Sequence, residues 1–112
     1  MGWRLKLTAE IWVAAYLTRL RLVDIPAFVV QRGDPTAGAV LVKLNTLDGL
    51  ARCYQRSFDL MTGARKWMVL AEGAEAEVDQ SVAKQRGFDP DLWVIEVEDK
   101  EGRHLLDEPG LD

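Results

Sequence analysis

His104 and Cys53 are each the sole residue of their kind in the chain, so any search for chemistry starts with them. An imidazole changes charge near neutral pH and a thiolate is a good nucleophile, so the two could form a base–nucleophile pair. The local pattern argues against it. Ala51, Cys53 and Gln55 share one side of a strand-like segment whose other side carries Arg52, Tyr54 and Arg56. Such a cysteine reads as a small, half-buried filler. His104 stands next to Arg103 in a polar stretch. One histidine and one cysteine are too few soft ligands for zinc, and a lone cysteine makes no internal disulfide. The sequence contains no Gly-rich phosphate loop, zincin pattern or nucleophile elbow. The reading leans away from an enzyme, assigns no catalytic residue and expects neither metal nor cofactor.

Charged loops are the next candidates. Arg32-Gly33-Asp34-Pro35 could offer Arg32 and Asp34 to an anionic ligand or a partner, and Asp89 and Asp91 flank Pro90. Two nearby carboxylates can share a proton or hold a cation, but no calcium-loop spacing continues beyond Leu92. The competing structural reading is turn chemistry. Gly33 would permit positive φ, Asp34 would bond its own turn, and Pro35 would set the next φ. A small-ligand pocket at Arg32, Asp34, Asp89, Asp91 and His104 requires both loops and the chain end to converge.

The elements that must position these groups can be read from periodicity. Thr8 is a good N-cap, and the Ala-, Leu- and Arg-rich run from Ala9 to about Leu22 suits a helix. Ile11, Ala14, Ala15 and Thr18 fall along one side, Val13, Leu17 and Leu20 along a second, and Trp12 and Tyr16 along a third. That apolar arc is wider than one sheet face requires. Trp12, Tyr16 and Arg19 belong to types enriched at binding hot spots, so this ridge is the candidate protein interface. Completing the core is its competing role.

Asp24-Ile25-Pro26 ends the helix. Strands are expected over Ala27–Arg32, with Phe28 and Val30 on one side, and over Ala39–Asn45, with Val40, Val42 and Leu44 opposite Lys43. Asp48-Gly49 turns the chain into a third strand from Leu50 to Arg56, and a short fourth follows from Lys66 to Leu70. A second helix is expected from Gly73 to about Arg86, with Glu75 and Glu77 early, Lys84 and Arg86 late, and Gly87 as its C-cap. Leu92–Glu98 is the last strand, with Trp93, Ile95 and Val97 inward. The stretch 99–112 is a polar, loosely ordered tail anchored by Leu105 and Leu106 alone. The fold class is α+β in the order α-β-β-β-β-α-β: a mostly antiparallel sheet of four to five strands with two helices on one face. A small, partly closed barrel is the alternative.

Composition sets the outer limits. At 112 residues, 48% hydrophobic and 29% charged, the chain fits a single domain spanning 1–112. A net charge of -4 disfavours a general nucleic-acid binder, although Arg4, Lys6, Arg19 and Arg21 make the start basic. The apolar run Ile11–Leu17 is far short of a membrane span and lacks a cleavage pattern, so a cytoplasmic protein away from the membrane is expected.

Three segments together carry a family resemblance: Arg4 to Leu20 (RLKLTAEIWVAAYLTRL), Val30 to Asn45 (VQRGDPTAGAVLVKLN) and Phe88 to Leu106 (FDPDLWVIEVEDKEGRHLL). The chain resembles a family of short alphaproteobacterial proteins classified as a domain of unknown function. The resemblance implies a bacterial, cytoplasmic, single-domain protein and brings no activity, cofactor or catalytic residue with it. The expectation is therefore a non-catalytic interaction or accessory module acting through the first helix, with a protein partner or a second copy. The small-ligand pocket is the alternative.

Overall fold

Thr8 and the residues after it begin a helix as their types predict. The computed structural model describes residues 7–111. In it the Thr8 hydroxyl accepts the Ile11 N–H at 3.3 Å and opens α1, Ala9–Leu22. The helix ends where Asp24 takes φ 59 and the Ile25 and Asp24 N–H groups bond back to Leu20 O and Arg21 O. That is a Schellman closure, with Asp24 in the place glycine usually takes and buried Leu20 and Ile25 forming its apolar clasp.

Five strands follow: β1 (Ala27–Gln31), β2 (Val40–Asn45), β3 (Leu50–Phe58), β4 (Arg65–Ala74) and, after helix α2 (Glu75–Phe88), β5 (Trp93–Glu98). They form one sheet in the order β1-β5-β2-β3-β4. Every pairing is antiparallel except β2 with β5, which runs parallel from Val40↔Trp93 to Asn45↔Glu98. The architecture is the α+β arrangement expected, an open sheet edged by β1 and β4.

Both faces of the sheet are covered, which corrects the expectation of helices on one face. Val40, Val42, Leu44, Tyr54, Trp93, Ile95 and Val97 pack with α1 and the chain end, whereas Leu41, Ala51, Cys53 and Val94 pack with Val78 and Val82 of α2. The alternation of β2 and β5 therefore has two apolar sides rather than one, and β2 is buried along its whole length. Several boundaries also move. β4 is twice the expected length because β3 offers it a continuous partner out to Ala74. Gly87 lies inside α2, and Asp89 is its C-cap. A bulge between Val29 and Gln31 breaks the expected pairing of Phe28 with Val30 on one side.

The segment after β5 is packed rather than trailing. Leu106 and Leu111 are both buried, so Leu111 is an anchor the sequence reading did not include. Tyr16 Oη donates to His104 O at 2.7 Å, Trp67 Nε1 to Leu111 O at 2.8 Å, and an Arg19 nitrogen to Pro109 O at 2.8 Å. These bonds tie the segment to α1 and β4.

Candidate functional site

The two charged loops do meet, through backbone rather than side chains. Asp34 N–H donates to Asp91 O at 2.9 Å, and Trp93 Nε1 donates to Asp34 O at 2.7 Å. Gly33 is needed here for closeness, not for the positive φ expected of it: a Cβ at that position would lie 2.2 Å from Asp91 O. The Asp34 carboxylate accepts from the Thr36 and Ala37 N–H groups at 3.1 and 2.8 Å, so it is spent on its own turn. Asp89 likewise accepts from Asp91 N–H. Arg32 lies 5.0 Å from the centre of the Trp93 ring and pairs with exposed Glu10 at 2.8 Å. Asp34 is thus held by its own turn, and Arg32 contacts Trp93 and Glu10.

Beside these loops a cleft of about 600 Å³ opens between the start of α1, the 36–39 turn and the end of α2. Leu7, Trp12 and Leu92 supply apolar walls, and Gln55, Arg56, Gln85 and Asp89 supply polar groups. The Arg56 guanidinium stands 4.9 Å from the ring centres of both Trp12 and Trp67. Asp89 is the one ligand candidate from the sequence that lines this cleft. Gln55, Arg56 and Gln85 were not singled out, because only pairing of β3 with β2 and the return of α2 bring them together. The backbone N–H groups of Ala9 and Glu10 are occupied by Thr36 O and Pro35 O, so the helix start presents no free anion site there.

His104 is placed elsewhere, in a groove with Tyr54, Trp67 and Leu106. Its ring centre is 4.7 Å from that of Tyr54, and its Nδ1 accepts the Leu106 N–H at 2.9 Å. Burial, with the nearby Arg52 charge, holds the imidazole below its ordinary pKa against a smaller opposing pull from Asp107. Cys53 is fully buried with the α2-side cluster while Tyr54 beneath His104 belongs to the other face, so no cysteine–histidine pair forms. Burial pushes the Cys53 thiol up to about 11, further from a reactive thiolate.

The interface candidates also receive definite places. Trp12 and Tyr16 are 4% and 0% exposed, and their rings stack 5.0 Å apart in the core. Arg19 is half-buried against Pro109. The outer side of α1 is instead the first of the apolar stripes: Ile11, Ala14, Ala15 and Thr18, continued by Leu22. Arg21 is exposed beside it, whereas Arg4 and Lys6 of the basic N-terminal set lie outside the described residues.

One buried charge escaped the sequence reading. Lys43, 5% exposed, sits under α2 with Nζ 2.8 Å from Glu75, 2.6 Å from Asp79 and 3.4 Å from Glu96. Burial alone would lower its pKa, but the bonds to Asp79 and Glu75 and the charge of Glu96 outweigh that and hold the ammonium above the ordinary lysine value. The signal was available: a lysine inside Val40-Leu41-Val42-Lys43-Leu44 must find carboxylates if both strand sides are covered. The arrangement neutralises a core charge and stabilises the seat of α2.

No helix among the described residues is long and apolar enough to cross a membrane. No curated protein matches the chain. Among solved structures, the crystal structure of a DUF1491 family protein from Caulobacter crescentus CB15 is similar, with 40% identity and a TM-score of 0.84 over 93% of this chain and 98% of that one. An NMR structure of a DUF1491 family protein from the same organism matches with 39% identity and a TM-score of 0.81, covering 95% and 97% of the two chains. A solution structure from A. tumefaciens matches at 26% identity and a TM-score of 0.71, covering 84% and 86%. The family model described as "Protein of unknown function (DUF1491)" matches residues 7–107. With that model spanning most of the chain and its alphaproteobacterial relatives sharing the whole fold, the chain belongs to the DUF1491 family, whose function is unknown.

Proposed function

We propose that the protein is a non-catalytic interaction module that associates through the outer side of α1, with a second copy of the chain as its partner. One observation carries the reading: Ile11 and Leu22 are 54% and 78% exposed at the two ends of a row whose middle is Ala14, Ala15 and Thr18. The Thr18 hydroxyl is used inside the helix, donating to Ala14 O at 2.9 Å, so the row offers almost no polar group. Small residues at its centre let a second helix approach closely. The ends carry opposite charges, Glu10 in the first turn, where it already pairs with exposed Arg32, and Arg21 in the last. Antiparallel packing about a two-fold axis therefore sets each Glu10 near its partner's Arg21 and each Ile11 near its partner's Leu22, a self-complementary contact. Cys53 and His104, the groups best suited to covalent or acid–base work, are both occupied in packing, which favours a binding role. We place that role in the cytoplasm, where a lone reduced cysteine is at home.

One helix face offers less than the roughly 800 Å² per partner of a standard interface, so the association is weak, with Kd on the order of 10–100 µM. Light scattering after size exclusion across that range checks it. The expected result is a rising mass for the native chain and a constant monomer mass for Ala15→Glu. A native chain that stays monomeric well above that range, with Ile11 and Leu22 NMR signals unmoved by concentration, sinks the reading.

The cleft beside Arg56 supports a second reading, small-ligand binding, because its volume of about 600 Å³ falls within the usual size of ligand sites. Ligand-induced NMR shifts at Gln55, Gln85 and Asp89, absent in Gln85→Trp, are the outcome it requires.

A further inference from the structure

The geometry points to His104 as a pH-responsive latch that holds the chain end, residues 103–111, against the α1-side face of the sheet. Its Nδ1 accepts the Leu106 N–H at 2.9 Å, which leaves the ring proton on Nε2. Adding a proton to Nδ1 removes that acceptor and sets a new N–H against the Leu106 N–H. Neutral histidine therefore closes the latch and the imidazolium opens it.

The surroundings decide the direction. From β3, Tyr54 packs on the ring and the Arg52 charge disfavours a second cation. From β4, Arg65 and Lys66 line the same groove. Tyr16 of α1 holds the His104 carbonyl at 2.7 Å and carries no charge near neutral pH. Within the segment, Asp107 pulls the other way by more than Arg52 opposes it, Glu108 lines the same groove, and the Tyr54 ring also favours a cation. Burial is the largest of these effects, and it resists protonation of the packed ring.

The sign follows from proton linkage. A histidine whose folded pKa is depressed stabilises the packed segment fully above its unfolded value, near 6.5, and loses that contribution as pH falls below it. Release removes Leu106 and Leu111 from the core cluster and uncovers Tyr16, Tyr54 and Trp67. Opening would thus create an apolar surface that the closed form hides.

Amide hydrogen exchange followed by NMR between about pH 7.5 and pH 5 tests the latch. The Leu106 and Glu108 amides are expected to lose protection progressively as pH falls below ~6.5, levelling off once the packed imidazole itself is protonated, while Val42 and Ile95 in the sheet hold theirs. In His104→Asn the side-chain oxygen can still accept from the amide two residues on but cannot titrate, so protection of the segment becomes independent of pH. Unchanged protection in the native chain while His104 visibly titrates overturns the latch. So does a His104→Asn variant that loses the segment at low pH as the native chain does.

Discussion

Replacing Lys43 with methionine tests whether the buried charge under α2 is as constrained as its geometry implies. Methionine fills the aliphatic stem, so the substitution removes the charge and leaves little cavity. It strands three carboxylates that had shared one cation. Glu75 and Asp79 have side chains 37% and 54% exposed and can turn to water, whereas Glu96, at 16%, cannot. Breaking a fully buried pair costs about 3–5 kcal/mol; with two of the three acids able to relax, about 2–3 kcal/mol is expected here. For a chain of this size that lowers the urea midpoint by about 1–2 M. Adding Glu96→Leu to Lys43→Met should recover most of the loss, since a buried ion pair exchanged for apolar groups is close to neutral. The raised lysine pKa gives a further check with a definite sign. Its stabilisation is complete below about pH 10 and is lost as pH rises beyond the ordinary lysine value. A loss under ~0.5 kcal/mol for the single change, or no recovery in the double, would refute the claim that Glu96 is trapped with the cation.

Other consequences are simpler to measure. Tyr16→Phe removes the buried donor to His104 O and should cost about 1–2 kcal/mol in thermal or urea unfolding, with the chain-end amides losing most protection. Gly33→Ala forces the 32–34 and 89–91 loops apart and should cost about 2–3 kcal/mol, whereas Gly49→Ala, with nothing within 4 Å of the added Cβ, should cost less, its expense being the positive φ alone. Cys53 should resist a thiol-specific disulfide reagent at neutral pH and react only once denaturant opens the α2-side cluster. Fast labelling of the native chain would contradict that burial.

Local signals read well where the physics is local. The cap at Thr8 and the closure before Pro26 delimit α1 without help from the rest of the chain, because both act within one helical turn. The ends of α2 and β4 were misjudged because a neighbour sets them: β3 carries β4 on to Ala74, and Asp89 rather than Gly87 terminates the helix. The site was less legible still. Asp34 and Asp89 were recognisable as turn residues, but nothing along the chain places Gln85 near Gln55 or separates His104 from both loops.

Residue order alone establishes the succession of elements, the lone thiol and imidazole, and an α1 too apolar for a single contact. Folding selects which of its three stripes stays outside, since Val13 and Leu20 are buried together with Trp12 and Tyr16. Trp12 and Tyr16 turn inward because β4 and the chain end supply Trp67, Leu106 and Leu111 to receive them, which leaves Ile11, Ala15 and Leu22 outside. Periodicity is a property of neighbouring residues, but the choice among equivalent apolar sides depends on surfaces contributed from far along the chain.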